Sequence, residues 1–203
     1  MHKLAENREQ IEIKRDVKVA AIDFIPAWGD LEGNIERLLA AVKEIGREGI
    51  DYAVFPETVT TGYLFHDYQE ISPFLDTIPG KTTEALLPLL KEYDLYISLG
   101  IAERDVTSGL AYYSAVLLSP EGIIGKYRKR GLNSQDQRLF APGNSETAIF
   151  ETKLGKIGLL ICYDDTYWQY ARLLALKGAQ IIGWHSVSDR MMPNAAPSER
   201  VGD

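Results

Sequence analysis

Apolar and polar positions along this chain fall into blocks whose period changes from two to between three and four. Val17 to Ile25 is a nearly continuous apolar run with β-branched residues, the pattern of a buried strand. Asp30 then offers an N-cap to a helix whose apolar positions Ile35, Leu38, Leu39, Val42 and Ile45 recur at helical spacing. Tyr52 to Phe55 is a second short apolar strand, ended by Pro56. A loop rich in Thr, Gly and aromatic residues runs from Thr58 to about Pro79. Thr82 to Tyr93 predicts another helix, which Pro88 must kink or restart. Strands follow at Leu95 to Ile101, Tyr112 to Leu118 and Gly122 to Tyr127, the last two joined as a hairpin by Ser119-Pro120-Glu121-Gly122. Beyond a polar loop from Arg130 to Asn144, Thr147 to Glu151 and Lys156 to Ile161 pair around Leu154-Gly155. A helix is expected over Asp165 to Lys177, stopped by Gly178, and Gln180 to Trp184 is the last strand.

Strand–helix alternation at both ends, with hairpins between, predicts an α/β protein whose sheets are mixed rather than purely parallel. Residues 1–16 are polar and read as a loosely attached arm; residues 17–203 read as one domain. The stretch Met191-Met192-Pro193-Asn194-Ala195-Ala196-Pro197 is a loop with no closing element, which suggests that a C-terminal part of the domain is missing.

Composition narrows the function more than the fold. With 45% apolar and 25% charged residues, the chain has the balance of an ordinary soluble domain. A net charge of -7 argues against a nucleic-acid footprint, and the one dense basic run, Lys126-Tyr127-Arg128-Lys129-Arg130, is short. No stretch approaches the roughly 20 continuous apolar residues of a membrane helix. The polar start lacks the apolar segment of a secretory signal, and the single cysteine excludes an internal disulfide. A cytoplasmic protein is expected.

That cysteine is the sharpest local signal. Cys162 follows the buried strand Lys156-Ile157-Gly158-Leu159-Leu160-Ile161 and precedes a helix with Asp164 and Asp165 in its first turn. A nucleophile at a strand-to-helix turn projects from the sheet edge, where a helix N-terminus favours its thiolate. The two aspartates oppose that ionisation, and the commoner fate of a free cysteine is a small buried hydrophobe. Glu57 leaves the sheet at the carboxyl edge of a strand, where open α/β sheets bind ligands and a carboxylate can act as general base. A solvated loop glutamate is the ordinary alternative. Strand alternation sends Tyr127 and Lys129 to one face and Lys126, Arg128 and Arg130 to the other, so one cation of four is singled out to point inward. A solvated basic face is the plainer reading of that run.

Taken in order, Phe55-Pro56-Glu57, Gly125-Lys126-Tyr127-Arg128-Lys129 and Leu159-Leu160-Ile161-Cys162-Tyr163-Asp164 resemble the three signature blocks of the nitrilase superfamily, the carbon–nitrogen hydrolases. Phe140-Ala141-Pro142-Gly143 is similar to the family's Phe-x-Pro-Gly loop, and Ala171 to Ala179 to the helix after its cysteine. The resemblance implies an αββα sandwich, a domain longer than the part present after Val17, and a homodimer or higher homo-oligomer formed through the cysteine-side helices. It also implies a Glu-Lys-Cys triad of Glu57, Lys129 and Cys162, assisted by Asp136 where the family usually has glutamate, with no metal and no cofactor. The implied substrate is a small amide, carbamoyl compound or nitrile. Tyr163-Asp164 stands where nitrilases proper tend to carry Trp-Glu, which tilts the expectation toward an amidase; Asp165-Thr166-Tyr167-Trp168-Gln169 also departs from the family pattern. Tyr63, Tyr163, Trp184 and His185 are candidate pocket residues, with core or interface positions as the alternative for the aromatics. Two other readings stay open: a Cys/His hydrolase using His2, His66 or His185, and an inert binding member of the same fold.

Overall fold

A computed structural model of the chain describes residues 16–145 and 148–187. Of the expected arm over residues 1–16 only Asp16 is among them; the rest of it and the expected terminal loop, within 188–203, lie outside the described residues.

Two sheets form, one of five strands in the order β1-β2-β3-β4-β5 and one of three in the order β6-β7-β8. In the first, β1 (Val19–Ala21), β2 (Tyr52–Val54) and β3 (Tyr96–Arg104) run parallel, and β4 (Ala111–Ser119) and β5 (Gly122–Arg128) continue antiparallel. In the second, β6 (Ile149–Thr152) is antiparallel to β7 (Gly155–Ile161), which pairs in parallel with β8 (Ile181–His185). The mixed character expected from the alternating pattern is present in both.

The outer face of the large sheet is covered by α1 (Leu31–Arg47) and α3 (Lys81–Tyr93), which pack on each other. Asp30 caps α1 as its sequence predicts, its Oδ1 accepting from Gly33 N at 3.1 Å. Of the expected apolar stripe, Ile35, Leu38, Val42 and Ile45 are buried and Leu39 partly so. Pro88 sits inside α3 without moving its start. It is exposed, so the Glu84 carbonyl left without its usual helical donor can turn to water.

Strand parity divides the core. Ile97, Leu99, Ile101, Val116 and Leu118 face α1 and α3, whereas Tyr96, Ala102, Tyr113, Ala115 and Leu117 meet Leu159 and Ile161 of the small sheet. Burial of each large aliphatic side chain contributes about 1.5–3 kcal/mol. On the far side of the small sheet lies α5 (Trp168–Leu176), whose Leu174 presses on Gly158 so closely that a Cβ there would stand 2.9 Å from it. The layers therefore run helix, sheet, sheet, helix, as the resemblance implied.

Departures from the sequence expectations concern short elements. β1 is three residues long, although Ile22 N still donates to Val54 O at 2.9 Å before the chain turns away. The loop after Thr58 contains α2 (Tyr68–Ile71) and a 3₁₀ turn over Ser72–Phe74, and the loop after Arg130 contains α4 (Asp136–Leu139). Four-residue helices are too brief to impose a helical period on a sequence. The helix expected from Asp165 opens instead as a 3₁₀ turn, Cys162–Thr166, before α5 begins at Trp168.

Candidate active site

The chain beyond β2 stays bonded to β3. Phe55 N donates to Ser98 O at 2.9 Å, Gly100 N to Pro56 O at 3.0 Å and Val59 N to Gly100 O at 3.0 Å. Glu57 is thereby fixed against the large sheet with no exposed surface. The approach is close: a Cβ on Gly100 would lie 2.4 Å from Glu57 Cα, so this position admits only glycine. Thr58 takes φ +47°, a left-handed conformation costing about 1–2 kcal/mol in a residue with a side chain.

Lys129 extends β5 by one residue, its N donating to Tyr113 O at 2.7 Å. Alternation turns it to the inter-sheet side with Tyr127, as expected, while Lys126 and Arg128 turn to the other. Its fully buried Nζ lies 2.7 Å from Asp136 Oδ2, 3.9 Å from Glu57 Oε2 and 4.6 Å from the centroid of the Tyr113 ring. Asp136 is held in turn: its Oδ2 accepts from Asn133 N at 3.1 Å, and its own N donates to Asn133 Oδ1 at 2.8 Å.

Cys162 is the first residue after β7 and also takes a left-handed φ, +41°. The Trp184 indole donates to its carbonyl at 3.1 Å. Asp164, which the sequence set against thiolate formation, is buried and spent on backbone: Oδ1 accepts from Gly131 N at 2.7 Å and Oδ2 from Ile161 N at 3.0 Å. It ties the turn bearing Cys162 to the loop that follows Lys129. Asp165 is exposed.

The electrostatics run against a thiolate. Burial, then the negative charge of Glu57, push the Cys162 thiol up to about 12, only partly opposed by Lys129. A five-residue 3₁₀ turn has little dipole to offer, so desolvation wins. Burial also raises the Glu57 carboxyl above the usual carboxylate range, with Lys129, the Val187 N–H, the Cys162 thiol and the Tyr113 hydroxyl pulling it back. Glu57 Oε1 accepts from Val187 N at 2.9 Å, whereas Oε2 makes no hydrogen bond of good geometry. The resting arrangement is a neutral thiol beside a carboxylate whose affinity for protons is enhanced.

The four candidate pocket residues part company. The Tyr63 hydroxyl accepts from Asn133 Nδ2 at 3.4 Å and feels the charges of Asp136, Glu57 and Cys162, although burial is the main cause of its raised pKa. Tyr63 lines a cavity of about 610 Å³ together with Trp28, Phe65, Gln135 and Arg138. Tyr163 and Trp184 do not line it and are 37% and 48% exposed. His185 is fully buried between the sheets, its Nδ1 2.7 Å from Phe55 O, and burial pushes its imidazole down to about 4. The parity that turns Trp184 outward turns His185 inward, away from any opening. Neither His66 nor His185 bonds to Cys162 among the described residues, and His2 lies outside them. No group of three or more His, Cys, Asp or Glu side chains suited to a metal occurs among the described residues.

Residues not singled out from the sequence also belong here. Tyr113 shares the inter-sheet face with Lys129, which the hairpin register Ala115 to Tyr127 makes readable. Asn133 and the Val187 amide contribute bonds that leave no mark on side-chain pattern.

Comparison with known proteins adds family to geometry. The carbon-nitrogen hydrolase family model matches residues 18–198. The chain is 36% identical over 167 residues to a nitrilase of Pyrococcus abyssi, covering 82% of this chain and 63% of that one. It is 32% identical over 166 residues to an (R)-stereoselective amidase of Pseudomonas sp, covering 82% and 58%. Its structure resembles that of a Saccharomyces cerevisiae member of branch 10 of the nitrilase superfamily with TM-score 0.75 and 25% identity, covering 87% and 66% of the two chains. The chain thus spans 58–63% of the length of these two curated relatives.

Proposed function

We propose that this chain, which belongs to the carbon–nitrogen hydrolase family, hydrolyses small amides through a thioester on Cys162. The observation that carries this reading is the meeting of three groups: the buried Glu57 carboxyl, the buried Lys129 ammonium 3.9 Å from it, and the half-buried Cys162 thiol, which burial keeps neutral. Since the thiol is neutral at rest, deprotonation must accompany attack. Glu57 takes the proton from Cys162 as sulfur bonds to the amide carbon, and Lys129 stabilises the resulting oxyanion. Glu57 returns the proton to nitrogen as the carbon–nitrogen bond breaks, and ammonia or an amine leaves. A water deprotonated by Glu57 then attacks the thioester, releasing the acid and restoring the thiol. Asp136, 2.7 Å from Lys129 Nζ, orients that ammonium.

The nitrilase relative at 36% identity supports a second reading in which the same thiol attacks a nitrile. Ammonia release from an aliphatic amide, an N-carbamoyl amine and a nitrile, measured on the intact protein, separates these. Activity on the amide alone supports the amidase reading; activity on the nitrile alone overturns it, and activity on none, with Cys162 intact, favours an inert binding member. Iodoacetamide should add once, at Cys162, and abolish turnover.

For partners we infer a small molecule and a second copy of the chain. Trp168 and Leu176 on α5 are 59% and 74% exposed, on the side where the resemblance expects self-association. Light scattering at the monomer mass would overturn that inference. A free cysteine supports a cytoplasmic site, and no helix among the described residues is long and apolar enough to cross a membrane.

A further inference from the structure

Three consecutive residues leaving β8 touch both halves of the candidate site. The His185 Nδ1–H donates to the Phe55 carbonyl at 2.7 Å, two residues before Glu57. Ser186 stands beside Cys162, whose carbonyl accepts from the Trp184 indole at 3.1 Å, and the Ser186 Oγ donates to Val187 O at 3.4 Å. The Val187 N–H donates to Glu57 Oε1 at 2.9 Å. These contacts follow from register. β8 pairs with β7 so that His185 stands opposite Ile161, and the two strands release Ser186 and Cys162 side by side. Across the sheet interface, β8 lies against β2 and β3. Gly183 makes that possible, because a Cβ there would stand 2.4 Å from the Tyr52 hydroxyl, which is bonded to Ser98 Oγ at 2.6 Å.

We infer that residues 185–187 form a clasp that sets the separation of Glu57 and Cys162, with His185 as a positioning residue that never touches substrate. The inference rests on the function proposed above. His185 suits the task because its role needs a donor at Nδ1 and no charge. A neutral imidazole with its proton on Nδ1 provides both, while the buried Nε2 has no hydrogen-bond partner among the described residues. An imidazole buried for the sake of one hydrogen bond marks that bond as its purpose. The carbonyl it holds belongs to the segment already pinned to Ser98 and Gly100 of β3, so the clasp fastens the end of β8 to a rigid part of the large sheet.

The geometry makes a discriminating pair of substitutions. The Asn amide places an N–H near the position of Nδ1, whereas the Gln amide, one methylene longer, places it near that of Nε2. In the intact protein, His185→Leu and His185→Gln should lower kcat about tenfold to a hundredfold with KM within about threefold, the scale of a small misplacement of reacting groups. His185→Asn should recover most of the loss. Independently of turnover, the pH profile of iodoacetamide addition to Cys162, followed by mass spectrometry, should move to lower pH in the Leu and Gln variants. The groups facing that thiol are Glu57, Lys129, Ser186 and Tyr63, and withdrawing the Glu57 charge eases its ionisation. A role confined to folding would shift melting temperature and leave this profile in place. Unchanged kcat and profile in His185→Leu, in a protein that Glu57→Gln inactivates, overturn the clasp alone. Full turnover in Glu57→Gln overturns the proposed function instead. Should His185→Leu fail to fold, equal kcat in the Asn and Gln variants overturns the clasp.

Discussion

Arg128 and Lys129 are neighbours in sequence, yet each enters a buried cluster of opposite charge on its own face of the large sheet. Arg128 meets Glu103 through Nε at 3.0 Å and Nη2 at 2.6 Å, and the same carboxylate accepts from Lys126 and Ser114. Arg128 also bonds Asp105 at 3.0 Å and lies 3.9 Å over the ring of Tyr112. Burial alone would raise the Glu103 carboxyl, but Arg128, Lys126 and Ser114 together hold it below the usual range. On the other face burial raises the Glu57 carboxyl, and one backbone donor, an ammonium at 3.9 Å, the Cys162 thiol and the Tyr113 hydroxyl pull it back only in part. The residue types are nearly the same. A saturated carboxylate is a strut; an under-coordinated one keeps an appetite for protons.

The sharpest way to break this contrast is to neutralise each glutamate. Glu57→Gln should reduce ammonia release by about a hundredfold to ten-thousandfold, the range of general-base contributions, while leaving the melting temperature equal or higher. Glu103→Gln should do the reverse: turnover per folded molecule stays, and stability falls by about 3–5 kcal/mol because Arg128 and Lys126 lose the carboxylate they share and Arg128 keeps only Asp105. Equal falls in melting temperature for the two would erase the distinction. The cations give the next effect. Lys129→Ala should lower kcat at least about a hundredfold, as loss of one oxyanion donor does, whereas Arg128→Ala should act on thermal stability and spare turnover per folded molecule.

Asp136→Asn should cost less turnover than Glu57→Gln, since it disturbs the aim of Lys129 and leaves the base intact. Mass spectrometry after mixing with an amide should find an acyl-enzyme in Asp136→Asn and none in Glu57→Gln. An acyl-enzyme forming at the normal rate in Glu57→Gln would move the base to Asp136.

The smallest effect is in pH dependence, and its sign differs between the clusters. Glu57 binds its proton more tightly folded than unfolded, so its contribution favours folding below the ordinary value of 4.5 and is lost as pH rises through its folded value. The melting-temperature advantage of Glu57→Gln should therefore be greatest above neutrality and fade toward pH 4. Glu103 is the mirror case: its contribution is present above 4.5 and lost as pH falls through its lowered folded value. The deficit of Glu103→Gln should be full at neutrality and shrink in acid. Melts from pH 8 down to pH 2 test both.

Much of this contrast was legible beforehand, and the rest was hidden for identifiable reasons. Alternation along β5 alone separates Lys129 from Arg128, and the cap and stripe of α1 place the helix layer. What alternation cannot supply is the partner across the sheet. Arg128 was expected in solvent because Glu103 lies 25 residues away, two strands over. The inward turn of Lys129 was readable, but its contact with Asp136 depends on α4, a helix too short to show a period. For Cys162 the sequence sets a favouring helix N-terminus against two opposing aspartates, and it cannot show the 3₁₀ turn or the burial that decide the matter. His185 was placed in the pocket because the strand was ended at Trp184, one residue short of where β8 stops.

On the proposed mechanism the base and the ammonium ride on one sheet and the sulfur on the other, so neither layer would hold that reactive centre by itself. A chain that had built either layer and not yet pressed them together would then carry an ordinary thiol or an idle carboxylate, silent toward the amides around it. Competence arrives with the docking of the layers, which makes the chemistry its own inspection of the finished fold.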